Sequence, residues 1–332
     1  MILSMRSPTF SAVAAAAAAL LASCPRLVSS SPSPTSLNIL ISNDDGLGSA
    51  NIRALFTTLL EAGHNPIISA PLDNKSGTGG ARRSPRVVDH EGEYGFAHRG
   101  DPAVGHESPG GKEKSDDRIW YVNSYPVSSV QVGLEQLAPT VFNGSQPDLV
   151  VAGPNEGSNL GLSYLVSGTY GAARYAVEQG IPAIAFSAGD STHRPYTVIK
   201  GADDQAYVYA RLATAFIERL TEGGKPFLPR NTGLNINFPS AITRDCTPGK
   251  EMYILTRLLG TIDPDPDACT CGQSHNRAGC KLPVEVDLSK NPDLGCAITI
   301  SVFEPSQWSP DASATQQAAV LDRLQGILSC IA

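Results

Sequence analysis

From Leu37 to Ser187 strand-like and helix-like runs alternate, and this alternation limits the folds open to the chain more than any other feature. Apolar runs at 37–42, 66–70, 148–153 and 182–187 are separated by helical patterns near 49–62, 126–138 and 170–179. In the first helical pattern Ile52, Leu55, Phe56, Leu59 and Leu60 recur with the helical repeat of about 3.6 residues. The strand runs are apolar almost throughout, as strands are when helices cover both faces of a parallel sheet. The expected class is α/β, three layers in α/β/α order around a mostly parallel sheet. Loops past the carboxyl ends of such strands gather on one rim, where ligands bind.

Four polar clusters sit just past those runs or open the next helix. Ile39-Leu40-Ile41-Ser42 ends in Asn43-Asp44-Asp45-Gly46. Two neighbouring carboxylates at the end of a buried strand are costly unless positive charge lies on them, and a hard divalent cation supplies it. An Asx turn capping the following helix is the plainer use of the same residues. Ile67-Ile68-Ser69-Ala70-Pro71 leads to Asn74-Lys75-Ser76-Gly77, and Asp148-Leu149-Val150-Val151 leads to Asn155-Glu156-Gly157-Ser158-Asn159. Val166-Ser167-Gly168-Thr169 precedes the helical pattern Tyr170 to Gln179, which stops at Gly180. Asp44, Asp45, Ser76 and Asn155 all follow strand ends, so residues far apart in sequence are expected to converge.

These blocks, with Gly180-Ile181-Pro182-Ala183-Ile184-Ala185 and Leu234-Asn235-Ile236-Asn237-Phe238-Pro239, resemble in order those of the SurE family of metal-dependent 5′/3′-nucleotidases and phosphatases. The resemblance implies a Rossmann-like sheet with a β-hairpin excursion. It implies Asp44, Asp45, Ser76 and Asn155 as ligands of a divalent cation. An all-oxygen set suits Mg²⁺ or Mn²⁺, with Ca²⁺ also admissible, rather than a soft metal. Asp44 and Asp45 become the catalytic pair, one of them a proton acceptor. The D-x-D signature of aspartyl-phosphate chemistry is absent from this loop. Ser167, Gly168 and Thr169 open a helix whose free amides suit a phosphate, though a simple N-cap uses the same residues. Asn43 and Asn159 fall on the substrate side, Asn43 as the residue that orients the Asp loop. Asn159 either reaches the phosphate or fixes its own loop. The implied activity is hydrolysis of nucleoside monophosphates or related phosphomonoesters by a homodimer or higher homo-oligomer. The alternative is a secreted, non-catalytic phosphate- or nucleotide-binding protein on the same fold.

Composition narrows the partners. With 332 residues, 41% of them hydrophobic and 17% charged, the chain can bury the core of one large domain or two small ones. A net charge of −7 argues against a groove for a nucleic-acid polymer. The long apolar stretch, Ala12 to Ala22, is too short to span a bilayer, which takes about 20 residues. Behind Arg6 and before small residues, it reads as a secretory signal peptide over 1–23. Leu21-Ala22-Ser23-Cys24 also resembles a bacterial lipobox, which would anchor the chain by lipid on Cys24. A Ser/Pro-rich leader is expected over 24–36, the phosphatase domain over 37–310 and a final amphipathic helix over 311–332.

Cys246, Cys269, Cys271, Cys280, Cys296 and Cys330 all lie in the last third. An even number in an exported chain reads as disulfides, with the pairing open. The run Cys269-x-Cys271-x₃-His275-x₄-Cys280 is the weaker, zinc-binding alternative. Asp263-Pro264-Asp265-Pro266-Asp267 imitates the start of an EF-hand loop but lacks its later Gly and Glu, and reads as a solvated turn. Residues 84–118, with His90, His98 and His106, break the alternation as an insertion or long hairpin. Arg82 and Arg83 could draw in an anion or simply be solvated. Asn143-Gly144-Ser145 is a glycosylation sequon in an expected surface loop.

Overall fold

The fold is that of a computed structural model, which describes residues 36–106, 116–260, 266–271, 280–306 and 310–331. The signal-peptide and leader expectations, Cys24 and His275 fall outside them. The strands are β1 (Asn38–Ser42), β2 (Asn65–Pro71), β3 (Val104–His106), β4 (Ile119–Val122), β5 (Leu149–Asn155), β6 (Ala183–Ser187), β7 (Gly233–Asn237), β8 (Met252–Thr256) and β9 (Ala297–Phe303). They form one sheet in the order β3-β4-β2-β1-β5-β6-β7-β9-β8. From β4 to β7 every pairing is parallel. Only β3 against β4 and β7 against β9 run antiparallel.

Helices cover both faces, as apolar strands require. α1 (Ala50–Glu61), α5 (Gln205–Thr221) and α7 (Ala314–Leu324) pack on one side with Ile39, Ile41 and Phe186. α2 (Pro126–Val132) and α4 (Gly168–Glu178) cover the other with Leu40, Val150 and Ala185. Alternate residues of one strand thus serve opposite cores.

The structure refines three expectations. The helix expected over 126–138 breaks into α2, a π-helical turn Gly133–Leu137 and α3 (Ala138–Val141). Pro139 in the first turn of α3 has no N–H to continue an α ladder, and a π turn absorbs that defect. The segment 84–118, expected as an insertion or long hairpin, carries β3, which pairs antiparallel with β4, and β4 itself joins the central parallel sheet beside β2. The last helix stops at Leu324, after which Leu328 bridges to Tyr253 beside β8.

The last third is held by three disulfides, Cys246–Cys296, Cys269–Cys280 and Cys271–Cys330. They use every cysteine of the zinc alternative. Asp267, expected in a solvated turn, is instead buried. It pairs with Arg257 at 2.8 Å and accepts from the Leu282 amide and Gln317. Sequence spacing had no means of showing that Arg257, equally buried, would be its partner. Asp311 accepts the Leu258 and Leu259 amides beside the same guanidinium.

The C-terminal region also supplies Glu285, at the start of α6 (Glu285–Lys290) and fully buried. Its carboxylate accepts from the Gly161 amide at 2.7 Å, from Ser301 Oγ at 2.8 Å and from Asn235 Nδ2 at 3.2 Å. Burial nevertheless pushes its pKa up to about 8, against those hydrogen bonds. A folded value above the ordinary 4.5 means that the fold prefers the neutral carboxyl. Its stabilising contribution is full below about 4.5 and is lost as pH rises through about 8. Glu285→Gln should therefore flatten the fall in melting temperature between about pH 5 and 9. Thermal melts of both proteins across that range check it; parallel curves would contradict it.

Candidate active site

Along the sheet the chain runs from β1 through β2 to β4 in one direction, then returns to the other side of β1 for β5, β6 and β7. The reversal lies between β1 and β5, and a crevice forms outside the strand ends at such a point. Asp44 and Asp45 leave β1 there, and Asn155 and Glu156 leave β5. The two loops are stitched together by the Glu156 amide, which donates to Asp45 Oδ2 at 3.0 Å. The loop after β2 joins them through the Lys75 amide, 2.6 Å from the Asp44 carbonyl. Gly46 makes this approach possible. Its φ is +96°, and a Cβ would stand 3.1 Å from Asp73 and 3.2 Å from Asn74 backbone atoms.

Asp44 and Asp45 are 2% and 1% exposed, and neither forms an ion pair with a described lysine or arginine. Asp44 is answered by the start of α4. The Gly168 amide donates to its Oδ2 at 3.1 Å and the Thr169 hydroxyl to its Oδ1 at 2.5 Å. Ser167 caps the helix by accepting from the Tyr170 amide. The positive end of the helix thus faces a carboxylate of its own chain. Burial raises the Asp44 pKa and the Thr169 hydrogen bonds oppose it. Asp45 is raised well above the carboxylate range, first by burial, then by the charges of Asp44 and Glu156.

Of the remaining expected residues, Asn155 meets Asp44's partner Thr169 and Asn43 bonds within the Asp turn, whereas Asn159 and Ser76 bond elsewhere. Asn155 Oδ1 accepts from Thr169 Oγ at 3.3 Å while its Nδ2 donates to the Gly157 carbonyl. Asn43 Nδ2 donates to the Gly46 carbonyl and to Ser49, so it shapes the Asp turn, and its Oδ1 is buried without a partner. Asn159 is held on every side: its amide meets Asn237, its Nδ2 meets Ser187 and its carbonyl takes Asn235 and Asn237. Of its two expected uses, loop fixing is the one visible. Ser76 is exposed, one residue beyond the Lys75 link, with its amide on Asn74 Oδ1 and no contact to the carboxylates.

Three further residues share the rim, and the motif blocks gave none of them a role. Glu156 follows Asn155, His193 lies in the loop after β6, and Glu93 comes from the insertion. His193 Nδ1 is 2.5 Å from Glu156 Oε2 and its Nε2 is 2.6 Å from Glu93 Oε1. Burial alone would lower the imidazole pKa, but the Glu93 and Glu156 hydrogen bonds raise it. Burial lifts Glu156 to about 7, opposed by His193. Tyr94 stands over the imidazole, ring centres 5.7 Å apart. A signal for Glu156 was present in its place past a strand end; for His193 and Glu93 only the fold supplies it.

A doubly wound sheet with paired, buried carboxylates at its switch point defines an α/β protein whose ligand site lies at that rim. The family model described as "Survival protein SurE" matches residues 39–259, and the chain belongs to that family. An acid phosphatase of Yarrowia lipolytica is 34% identical over 308 residues, covering 84% of this chain and 82% of that protein. The 5′-nucleotidase SurE of Crocosphaera subtropica is 32% identical over 224 residues, covering 68% and 67%. The crystal structure of the SurE protein from Aquifex aeolicus shares the fold with a TM-score of 0.53 at 19% identity, over 86% of this chain and 98% of that one.

Gly168 tests the local geometry. A Cβ there would lie 2.7 Å from Asp44 Cβ and 2.9 Å from its Oδ2. Gly168→Ala should push Asp44 off the α4 amides, destabilise by about 1–3 kcal/mol and weaken divalent-cation binding at least ~10-fold. Isothermal titration beside a thermal melt checks both, and unchanged cation affinity would contradict the placement.

Proposed function

We propose that the protein is a divalent-metal-dependent phosphomonoesterase acting on nucleoside monophosphates or related phosphomonoesters. One observation carries the reading: two adjacent carboxylates, almost fully buried at the switch point, with no described cationic side chain paired to either. Such burial is tolerable when a cation completes the charge. The donors present fit that group. Asp44, Asp45 and the Asn155 carbonyl oxygen are hard ligands, and Ser76 stands on the loop tied to Asp44. Mg²⁺ or Mn²⁺, or Ca²⁺, matches an oxygen set of this kind. When bound, such a cation polarises a phosphoryl oxygen and lowers the pKa of a water.

The chain's own residues would do the rest. Burial raises the proton affinity of both Asp44 and Asp45, with Thr169 opposing it at Asp44. One of the two is assigned the proton of the attacking water. Ser167, Gly168 and Thr169 serve the substrate through the positive end of α4 and by fixing Asp44, since the Gly168 amide and Thr169 hydroxyl already point there. Asn43 and Asn159 hold the loops that line the phosphate position.

Phosphate release from a substrate panel, with and without EDTA and after restoring Mg²⁺, Mn²⁺ or Ca²⁺, tests the reading. Asp45→Asn should lower turnover at least ~100-fold with the circular-dichroism melt little changed. Metal binding without hydrolysis of any phosphomonoester would favour the non-catalytic relative of the same fold.

Export belongs to the same proposal: a signal peptide over 1–23, a leader over 24–36, and a mature phosphatase domain over 37–310 with its C-terminal helical segment. The three disulfides support it, and among the described residues no helix is long and apolar enough to cross a membrane. Asn143, exposed at φ 52° in the turn after α3, is the proposed glycan acceptor. A homodimer or higher oligomer is the assembly the family resemblance supports. Mass spectrometry of the unreduced mature protein should find its N-terminus past residue 23 and no free thiol among the six cysteines. Lipid on Cys24 would replace secretion with anchoring, and several free thiols would contradict export.

A further inference from the structure

We propose that the rim carries a second metal site, built by Asp45, Glu156 and His193, which shares Asp45 with the first cation and makes the centre dinuclear. Ligand atoms of these three residues all lie within 4.8 Å of one another. They come from three separate loops, after β1, β5 and β6, so the convergence is a product of the fold. This set includes an imidazole nitrogen, whereas Asp44, Ser76 and Asn155 offer only oxygen. It therefore suits Mn²⁺, Fe²⁺ or Zn²⁺ better than Mg²⁺ or Ca²⁺.

The bonding around His193 has the form expected of a ligand. A metal-binding histidine gives its other ring N–H to a carboxylate, which fixes the tautomer and the ring plane. Glu93 Oε1, 2.6 Å from Nε2, occupies that place. With the proton on Nε2, the Nδ1 lone pair faces Glu156 Oε2 at 2.5 Å. A lone pair and a carboxylate this close share a proton, and a cation bound by both, with bonds of about 2.0–2.2 Å to each, would take that proton's place and part the two atoms. The other oxygen of Glu156 is where a cation gains over that proton. Glu156 Oε1 is buried with no partner, on a side chain only 3% exposed. A proton between Nδ1 and Oε2 leaves Oε1 orphaned at the full cost of its desolvation. A cation held by the carboxylate satisfies it. Asp45 belongs to both ligand sets, and a carboxylate can bridge ions about 3.5–4 Å apart.

Metal binding at this site does not require turnover; only its catalytic consequence rests on the phosphomonoesterase reading. The full chain, stripped with EDTA, reloaded with Mn²⁺ and freed of excess, is counted by plasma mass spectrometry and examined by electron paramagnetic resonance. Two Mn²⁺ per chain with exchange-coupled spectra are expected. His193→Ala should retain one uncoupled ion, and Glu93→Gln should weaken the second ion about 10–100-fold while sparing the first. One Mn²⁺ per chain in the unaltered protein, or two in both it and His193→Ala, overturns the proposal. Should His193→Ala fail to fold, an unchanged second affinity in Glu93→Gln overturns it equally. Two coupled ions without phosphate release from any substrate would sustain this site and sink the hydrolase reading; one ion with full release would do the reverse.

Discussion

The structure depends on how it carries two adjacent buried negative charges, Asp44 and Asp45. A lone buried carboxylate is costly, and two side by side raise each other's cost. The fold answers with partial charges rather than with a lysine or arginine. The Gly168 amide and Thr169 hydroxyl face Asp44, and the Glu156 amide faces Asp45. Each such donor offsets part of the desolvation, and together they leave both carboxyls with raised proton affinity. The remaining deficit is what gives the rim its appetite for a cation.

That arrangement demands precise backbone placement, and the sheet provides it. The switch between β1 and β5 brings two loops together that are more than a hundred residues apart. Residues with no side chain then let the backbones close: Gly46 under the loop after β2, and Gly168 against Asp44. The loop that carries Asn159 is held from below by Asn235, Asn237 and Ser187, and the Gly161 amide reaches Glu285. The stapled C-terminal third is thereby part of the site's foundation. Its own core keeps the ion pair of Arg257 and Asp267, closed between the disulfides and α7.

Much of this was legible in the chain. Continuous apolar runs require a sheet buried on both faces, and the helical repeats between them require crossovers, so the α/β class follows from period and hydrophobicity alone. The same logic places Asp44, Asp45 and Asn155 past strand ends, and hydrogen bonds through Thr169 and the Glu156 amide join their segments there. The order of blocks from 39 to 239 carries the family. An even set of six cysteines implies disulfides.

What only the tertiary structure decided is everything that rests on contacts between segments with no local pattern. Strand order, and hence which loops meet, depends on crossovers whose direction no periodicity records. Asp267 reads as a turn residue until Arg257 is found beside it, because burial of a charge is a property of its partner. Cysteine pairing is set by distance in space, so spacing in the chain left it open. His193 and Glu93 lie in segments rich in polar residues, where one histidine or glutamate looks like any other. They become a candidate site only when the insertion and the loop after β6 fold over the same rim, because ligation is a relation among positions in space.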